Sequence, residues 1–353
     1  MKKISGKTSF IIFAVLVFLA AAAAGNMIAK KSEKSSECFD YSGEILNTNM
    51  DQHIYAEKAQ AYIAVMAERT ALETEILLSW RTEKSDVLKI NGSVDTPVGV
   101  SNITLDVIET TLEVAKATGG AFSPTMLPII KTWGFDSAVQ FAPEGEAVKT
   151  AVKKSDYRNL SVDMENGTAL VRKNQAVVYL EPVIKGAACE RVIESYTENG
   201  AQGAMVSIGE CVGAVGTKGS SGEAWSVDIQ DPEKETGTAL GTLSFDGGYI
   251  ATKGVYQTFF VEKDKVYHNI IDPRTGYPAV SNITSVTVLS NSGVVAEAAA
   301  YACIVAGKAR IPAIAEALGI EVLAVDSEKN IYITPGLENR FSLAAEGYNI
   351  CLF

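Results

Sequence analysis

The stretch that most constrains this chain is His268-Asn269-Ile270-Ile271-Asp272-Pro273-Arg274-Thr275-Gly276-Tyr277-Pro278. Pro273 fixes φ near the value a turn needs and Gly276 permits a positive φ, so the backbone must reverse here. The alternating residues Lys265-Val266-Tyr267-His268 run into it as a short strand. His268 is one of two histidines in 353 residues, and it stands beside an Asp and a Thr able to share a small site. An imidazole at a strand end is either a packed ring or a proton carrier, and the turn alone does not decide between them.

Periodicity supplies the elements around that turn. From Gln52 to Leu78 the residues Ile54, Ala61, Ala64, Val65, Ala71, Leu72 and Ile76 recur at helical spacing and predict one long amphipathic helix. Ser85 is placed to cap the turn leading to Leu88, Ile90 and Asn91. Thr104 to Thr118 reads as a helix that stops at Gly119-Gly120, Glu144 to Val152 as another, and Gly186 to Tyr196 as a helix opening after Lys185. Asn159 to Val178 reads as a meander, Ala204 to Ile208 as a buried strand, and Gly213 to Ile229 as a hairpin around Gly219-Ser220-Ser221-Gly222. Strands follow at Leu240–Ser244, Gly248–Thr252, Val255–Val261 and Ser285–Leu289. A small-residue helix at Ala296–Ala306, a helix at Ile311–Leu318 and strands at Ile320–Val325 and Ile331–Ile333 close the chain. Strands joined mainly by hairpins, with helices in blocks, give an α+β class: a mainly antiparallel sheet with helices packed beside it.

Charge and cysteines exclude several functions. A net charge of −11 with pI near 4.9 leaves no basic excess to neutralise phosphates, so no nucleic-acid partner is expected. Lys2, Lys3 and Lys7 precede an apolar run from Phe10 to Ala24, and Lys30-Lys31 follow. Residues 1–29 therefore read as a signal peptide or an uncleaved signal anchor, and either places the remainder outside the cytoplasm, the anchor on the membrane. Lys30 to Glu44 reads as a charged linker, and residues 45–353 as one domain. Five cysteines with no CxxC spacing argue against zinc, and Cys189 and Cys303 read as small buried hydrophobes. Gly216-Thr217-Lys218-Gly219-Ser220-Ser221 lacks Walker spacing and reads as a hairpin tip, while His53 reads as a surface residue.

Taken in order, a set of short landmarks resembles the FAD:protein FMN transferases, the ApbE-type flavin transferases, from about Leu46 to Ile333. They are Thr48, Ser79, Ser85-Asp86, Ile90-Asn91, Thr118-Gly119-Gly120-Ala121-Phe122, Trp133-Gly134, Lys185-Gly186, Gly209, Gly216 with Trp225, Asp231-Pro232, Gly254, the His268 to Pro278 turn, and Gly307. The resemblance implies a flavin-transferase fold and an enzyme that splits the pyrophosphate of FAD. Such an enzyme uses Mg²⁺ and moves FMN to a Thr or Ser hydroxyl of an extracytoplasmic acceptor protein. It further implies that Lys185, Gly186, Gly209, Asp272 and Thr275 contact FAD, that His268 assists proton movement at the acceptor hydroxyl, and that Glu297 and Tyr301 stand at the metal position. Pyrophosphate chemistry demands such groups, because cations must offset the charge while the hydroxyl is held in line.

Departures from the pattern fall on the chemistry. The family's Asp-Leu-Gly-Gly-x-Ala-Lys-Gly reads Tyr179-Leu180-Glu181-Pro182-Val183-Ile184-Lys185-Gly186, and Glu190 replaces a following Asp. Asn-x-Gly-Gly-Asp reads Ser207-Ile208-Gly209-Glu210-Cys211, and Ser-Gly reads Lys253-Gly254. Arg81 stands for Tyr, Ser123 for Asp, and Asp-Ala-x-Ala-Thr reads Glu297-Ala298-Ala299-Ala300-Tyr301. Glu can still ligate Mg²⁺, whereas a phenol is a poor hard-cation ligand unless ionised. Two readings stay open: a flavin transferase with a rebuilt site, or a catalytically impaired member of the fold that binds flavin or a partner.

Overall fold

The computed structural model describes residues 37–56, 62–172, 176–219 and 222–353. The segment expected to be a signal or anchor lies outside these residues, and no helix among those described is long and apolar enough to cross a membrane.

Period-two burial starts the main sheet. Strands β1 (Glu37–Ile45) and β2 (Thr48–Ala56) form a hairpin whose tip residues Leu46 and Asn47 both take positive φ, the geometry that matches strand twist. In β2 Met50, Gln52, Ile54 and Ala56 are buried and their neighbours are not. That alternation overrides the helical spacing expected from Gln52, and the helix begins only at Ile63. The expected linker is likewise corrected, since Glu37 to Glu44 is an edge strand.

Seven more strands complete the sheet: β6 (Gly203–Ile208), β7 (Cys211–Gly216), β10 (Gly248–Gly254), β13 (Ile283–Ser290), β14 (Glu321–Asp326), β15 (Asn330–Ile333) and β17 (Asn349–Leu352). Their order is β1-β2-β6-β7-β10-β13-β14-β15-β17, antiparallel except for the β15–β17 pair. The smaller sheets are β3 (Val98–Gly99) with β5 (Thr168–Val171) and β4 (Leu160–Asp163), then β8 (Trp225–Gln230) with β9 (Ala239–Phe245) and β16 (Phe341–Leu343), and last the ribbon β11 (Phe259–Glu262) with β12 (Lys265–His268). The expected Gly213 to Ile229 hairpin is split: β7 stays in the main sheet while β8 pairs with β9.

Helices α1 (Ile63–Leu78), α2 (Asp86–Asn91), α3 (Asn102–Ala117), α4 (Leu127–Trp133), α5 (Gly145–Lys153), α6 (Ile184–Glu198), α7 (Gly293–Ala306) and α8 (Ile311–Leu318) gather beside the sheets. Buried and half-buried polar side chains fix the joins. Asp86 accepts from Ser101 N, Thr104 Oγ1 and Lys89 Nζ, and Asn91 exchanges two hydrogen bonds with the backbone of Val178. Helix α7 is buried almost all round, with Ala296, Ala298, Ala299, Ala300 and Ala302 fully shielded. Small side chains allow neighbours to approach on every side, as a central helix requires.

The starts of α6 and α7 meet backbone to backbone. A Cβ on Gly186 would lie 2.3 Å from the carbonyl oxygen of Gly293, and one on Gly293 would lie 2.5 Å from that of Gly186. Glu190 of α6 seals the join by accepting from Ser292 Oγ at 2.6 Å and Val294 N at 3.2 Å. Because neither backbone can yield cheaply, Gly186→Ala should lower stability by about 1–3 kcal/mol, read as a lower urea midpoint at unchanged slope. A change below about 0.5 kcal/mol would show that the join is soft.

Candidate functional site

The join of α6 and α7 places a carboxylate under a cleft. Glu297 is fully buried; its Oε2 accepts from Gly186 N at 3.3 Å and its Oε1 from Lys253 Nζ at 2.9 Å. Lys253 comes from β10, and its side chain is 13% exposed. Burial pushes this ammonium down, but the Glu297 carboxylate overrides that and holds it above the usual lysine range. A second pair stands beside the first, with Lys185 Nζ 3.2 Å from Glu210 Oε2. Burial pushes Glu210 up, while Lys185 and Lys253 together bring it below the usual carboxylate range.

Lys185, Glu210 and Lys253 line a cleft of about 280 Å³ together with Tyr179, Glu181, Gln257, Asn269 and Tyr301, and Glu297 is buried behind Lys253. A second cleft of about 360 Å³, walled by β8 and β10 residues, shares Glu210 and Gln257 with it. Gly209 stands at the divide with φ +58°, and a Cβ there would meet Lys185 Nζ at 2.6 Å. Glycine is needed for both reasons. A larger cleft, about 1030 Å³, lies elsewhere and is lined by Gly119, Gly120, Lys153, Tyr157, Arg158 and Arg274. Arg158 is committed to Asp156 there and Arg274 to Asp272. Size alone is a weaker guide than the paired buried charges, which carry a desolvation cost that a mere surface groove does not.

The His268 to Pro278 turn borders two of these clefts, giving Asn269 and Ile270 to the one of about 280 Å³ and Pro273 and Arg274 to the one of about 1030 Å³. Trp133 Nε1 donates to Gly276 O at 2.8 Å, and Gly276 has φ +79°. Tyr301 holds the opposite side: its hydroxyl accepts from Ile271 N at 2.7 Å and donates to Ile271 O, 2.8 Å away. Asp272 accepts from the Arg274 backbone and guanidinium, and Thr275 Oγ1 accepts from Tyr277 N. Both therefore work inside the turn and line neither cleft. His268 sits one residue before Asn269, outside the lining of the small cleft. Its Nε2 is 3.2 Å from Ala279 O, so that nitrogen carries the proton, and buried Nδ1 has no partner among the described residues. Burial lowers its pKa, which keeps the ring neutral with a lone pair on Nδ1.

The residues at the expected metal position do not fit a divalent cation. Both oxygens of Glu297 are engaged, one by an ammonium. Burial raises the Tyr301 pKa well above the usual phenol range, so its hydroxyl stays neutral and bonded to backbone. No cluster of three or more His, Cys, Asp or Glu among the described residues is arranged to hold a metal. Magnesium wants near-octahedral oxygen ligands and sheds water reluctantly, which this donor set cannot meet. Other substituted positions turn out structural: Ser123 bonds Thr125 and Ser155 O, and Arg81 faces Asp136 O and the Trp80 ring.

The sequence model of the ApbE family matches residues 46–324. The chain belongs to the ApbE family. An FAD:protein FMN transferase of Treponema pallidum is 29% identical over 318 residues, covering 84% of this chain and 86% of that one. One of Haemophilus influenzae is 27% identical over 317 residues, covering 86% and 90%. The solved ApbE protein of Thermotoga maritima superposes with a TM-score of 0.75 at 26% identity, covering 87% of this chain and 97% of that one. On this ApbE scaffold, the charged cleft residues that sequence reasoning did not assign to a site include Lys253 and Glu210. The available signal was substitution alone: Lys253 stands where the pattern has Ser, and Glu210 where it has Gly.

Tyr301→Phe leaves the Ile271 N–H and C=O buried without their partner and should destabilise by about 1–3 kcal/mol in chemical denaturation; an unchanged midpoint would remove Tyr301 as the brace. His268 has a folded pKa below its unfolded 6.5, so the unfolded chain binds the extra proton and stability present above 6.5 is lost as pH falls through the folded value. His268→Asn should therefore flatten the stability profile on the acid side of 6.5, and a profile parallel to wild type would contradict a buried neutral ring.

Proposed function

We propose that this chain is an FAD:protein FMN transferase that moves FMN from FAD to a Thr or Ser hydroxyl of an extracytoplasmic redox protein. The reading is carried by the two lysines, Lys185 and Lys253, at the junction of adjoining clefts that share Glu210 and Gln257. A two-part cleft with cations at its waist suits a dinucleotide whose charge is concentrated at the central pyrophosphate. Membership of a family whose relatives bear that activity in their names supports it.

The acceptor oxygen forms a bond to the phosphorus on the FMN side, the bridging P–O bond breaks, AMP leaves, and the hydroxyl proton departs. The residues of this chain account for the charge and the proton. Lys185 and Lys253 offset the phosphate charge that grows on the leaving side. Gly209 lets the pyrophosphate pass close to the backbone, and Glu210 must yield Lys185 to it. His268, neutral with a lone pair on Nδ1, receives the hydroxyl proton once the acceptor segment reaches it. Asp272, Thr275 and Gly186 serve as supports: the first two shape the turn that carries His268, and Gly186 anchors Glu297. Residues 1–29 export the chain or hold it at the outer face of the membrane, where such an acceptor would be met.

Co-expression with an extracytoplasmic acceptor protein tests this directly. Intact-mass measurement should show the acceptor heavier by one FMN, with AMP released in equal amount. His268→Asn should slow transfer by about 10²–10⁴-fold while FAD still binds. Unmodified acceptors together with intact, bound FAD would favour the flavin-binding member without transfer.

A further inference from the structure

We infer that Lys253 replaces the divalent cation of the site, so that the chain binds the FAD pyrophosphate through Lys253 and Lys185 without metal. This rests on the reading above that FAD is the ligand. The position is one where the family pattern has Ser, and the lysine reaches from β10 to the carboxylate that would otherwise hold the ion, at 2.9 Å. An ammonium has three N–H donors. One is taken by Glu297, which leaves two for a ligand in the cleft that Lys253 lines. Glu297, 1% exposed, keeps the ammonium charged and fixes its place, as a ligating carboxylate would fix a metal. A magnesium ion would have to expel that ammonium from a buried carboxylate and shed its own water for a site whose other donor is a neutral phenol. The two substitutions, Lys253 and Glu297, thus form one unit: the longer acid and the base meet where a shorter acid and a metal would.

Lys185 supplies the second cation. It is 26% exposed and is held by Glu210, whose side chain is 46% exposed. A half-exposed carboxylate can swing into water when a phosphate takes its place, whereas Glu297 has nowhere to go. The buried pair is therefore permanent and the outer pair exchangeable, which gives the pyrophosphate one fixed cation and one that is released on binding.

FAD binding to the full chain, measured by calorimetry after dialysis against EDTA and again in millimolar MgCl₂, tests the inference. The dissociation constant should agree within about twofold between the two conditions. Lys253→Met combined with Glu297→Gln removes both buried charges at once and so avoids stranding either. Its far-ultraviolet spectrum and melting should remain those of a folded chain, and its FAD affinity in EDTA should fall by roughly tenfold to a hundredfold, the scale of a lost charge-assisted hydrogen bond. Should the double variant fail to fold, Lys253→Arg keeps the ion pair and must retain metal-free binding. Magnesium tightening wild-type binding by tenfold or more, or undiminished affinity in a folded double variant, overturns the inference while leaving FMN transfer, read separately by acceptor mass, untouched. Absence of FAD binding under both conditions overturns this inference and the transferase reading together.

Discussion

A carboxylate with no access to water must be matched by positive charge, and Glu297 finds it in Lys253 and in the N–H of Gly186. The rest of the site depends on that arrangement. It requires α6 and α7 to touch at Gly186 and Gly293, since any side chain there would separate the N–H from the carboxylate. It requires β10 to run beside α7, so that a lysine on the strand reaches a glutamate on the helix. The small residues that fill α7 make both approaches possible. Breaking such a pair by removing one partner leaves an uncompensated charge and typically costs about 3–5 kcal/mol, so the charge pair and the packing of the central helix hold or fail together.

The turn from His268 to Pro278 is fastened to this core from two sides. Trp133 holds the carbonyl of Gly276, and Tyr301, one helical turn on from Glu297, holds both backbone groups of Ile271. One face of α7 thus supplies the acid that anchors the cationic floor and the phenol that anchors the histidine turn. The substitution of Tyr for Thr at 301 trades a small hydroxyl for a longer one that spans to the turn. The phenol is spent on structure, in keeping with a site where a metal has no need of it.

Much of the fold was legible because its signals are local. Ser85 does cap α2, accepting from Leu88 N at 2.9 Å, and the glycines after α3 do end it. The landmarks Asp86, Asn91 and Trp133 could be placed by order and spacing, and all three proved to be polar or aromatic ties, Asp86 and Trp133 buried and Asn91 half-buried. What misled was any segment whose partner lies far along the chain. Gln52 to Ala56 carries spacing compatible with a helix, yet β6 pairs with it and makes it a strand. Glu37 to Glu44 looks like a tether because its side chains are polar, and only the ladder to β2 makes it an edge strand.

The site divided in the same way. Lys185 and Tyr301 line one cleft, Glu297 is buried behind Lys253, Gly209 packs against Lys185, and His268 stands one residue before the lining, whereas Asp272 and Thr275 serve the turn. Sequence could register that Lys253 and Glu210 were foreign to the pattern. It could not show that each lies against a site residue of opposite charge, because that pairing is made by β10 and by the β6–β7 turn in space. The most direct test of the account is a crystal structure of the full chain grown with FAD and EDTA. The pyrophosphate should lie within hydrogen-bond distance of Lys185 and Lys253, with Glu210 turned away. Density for FAD in the large cleft beside Arg158 and Arg274, with the two ion pairs undisturbed, would contradict it.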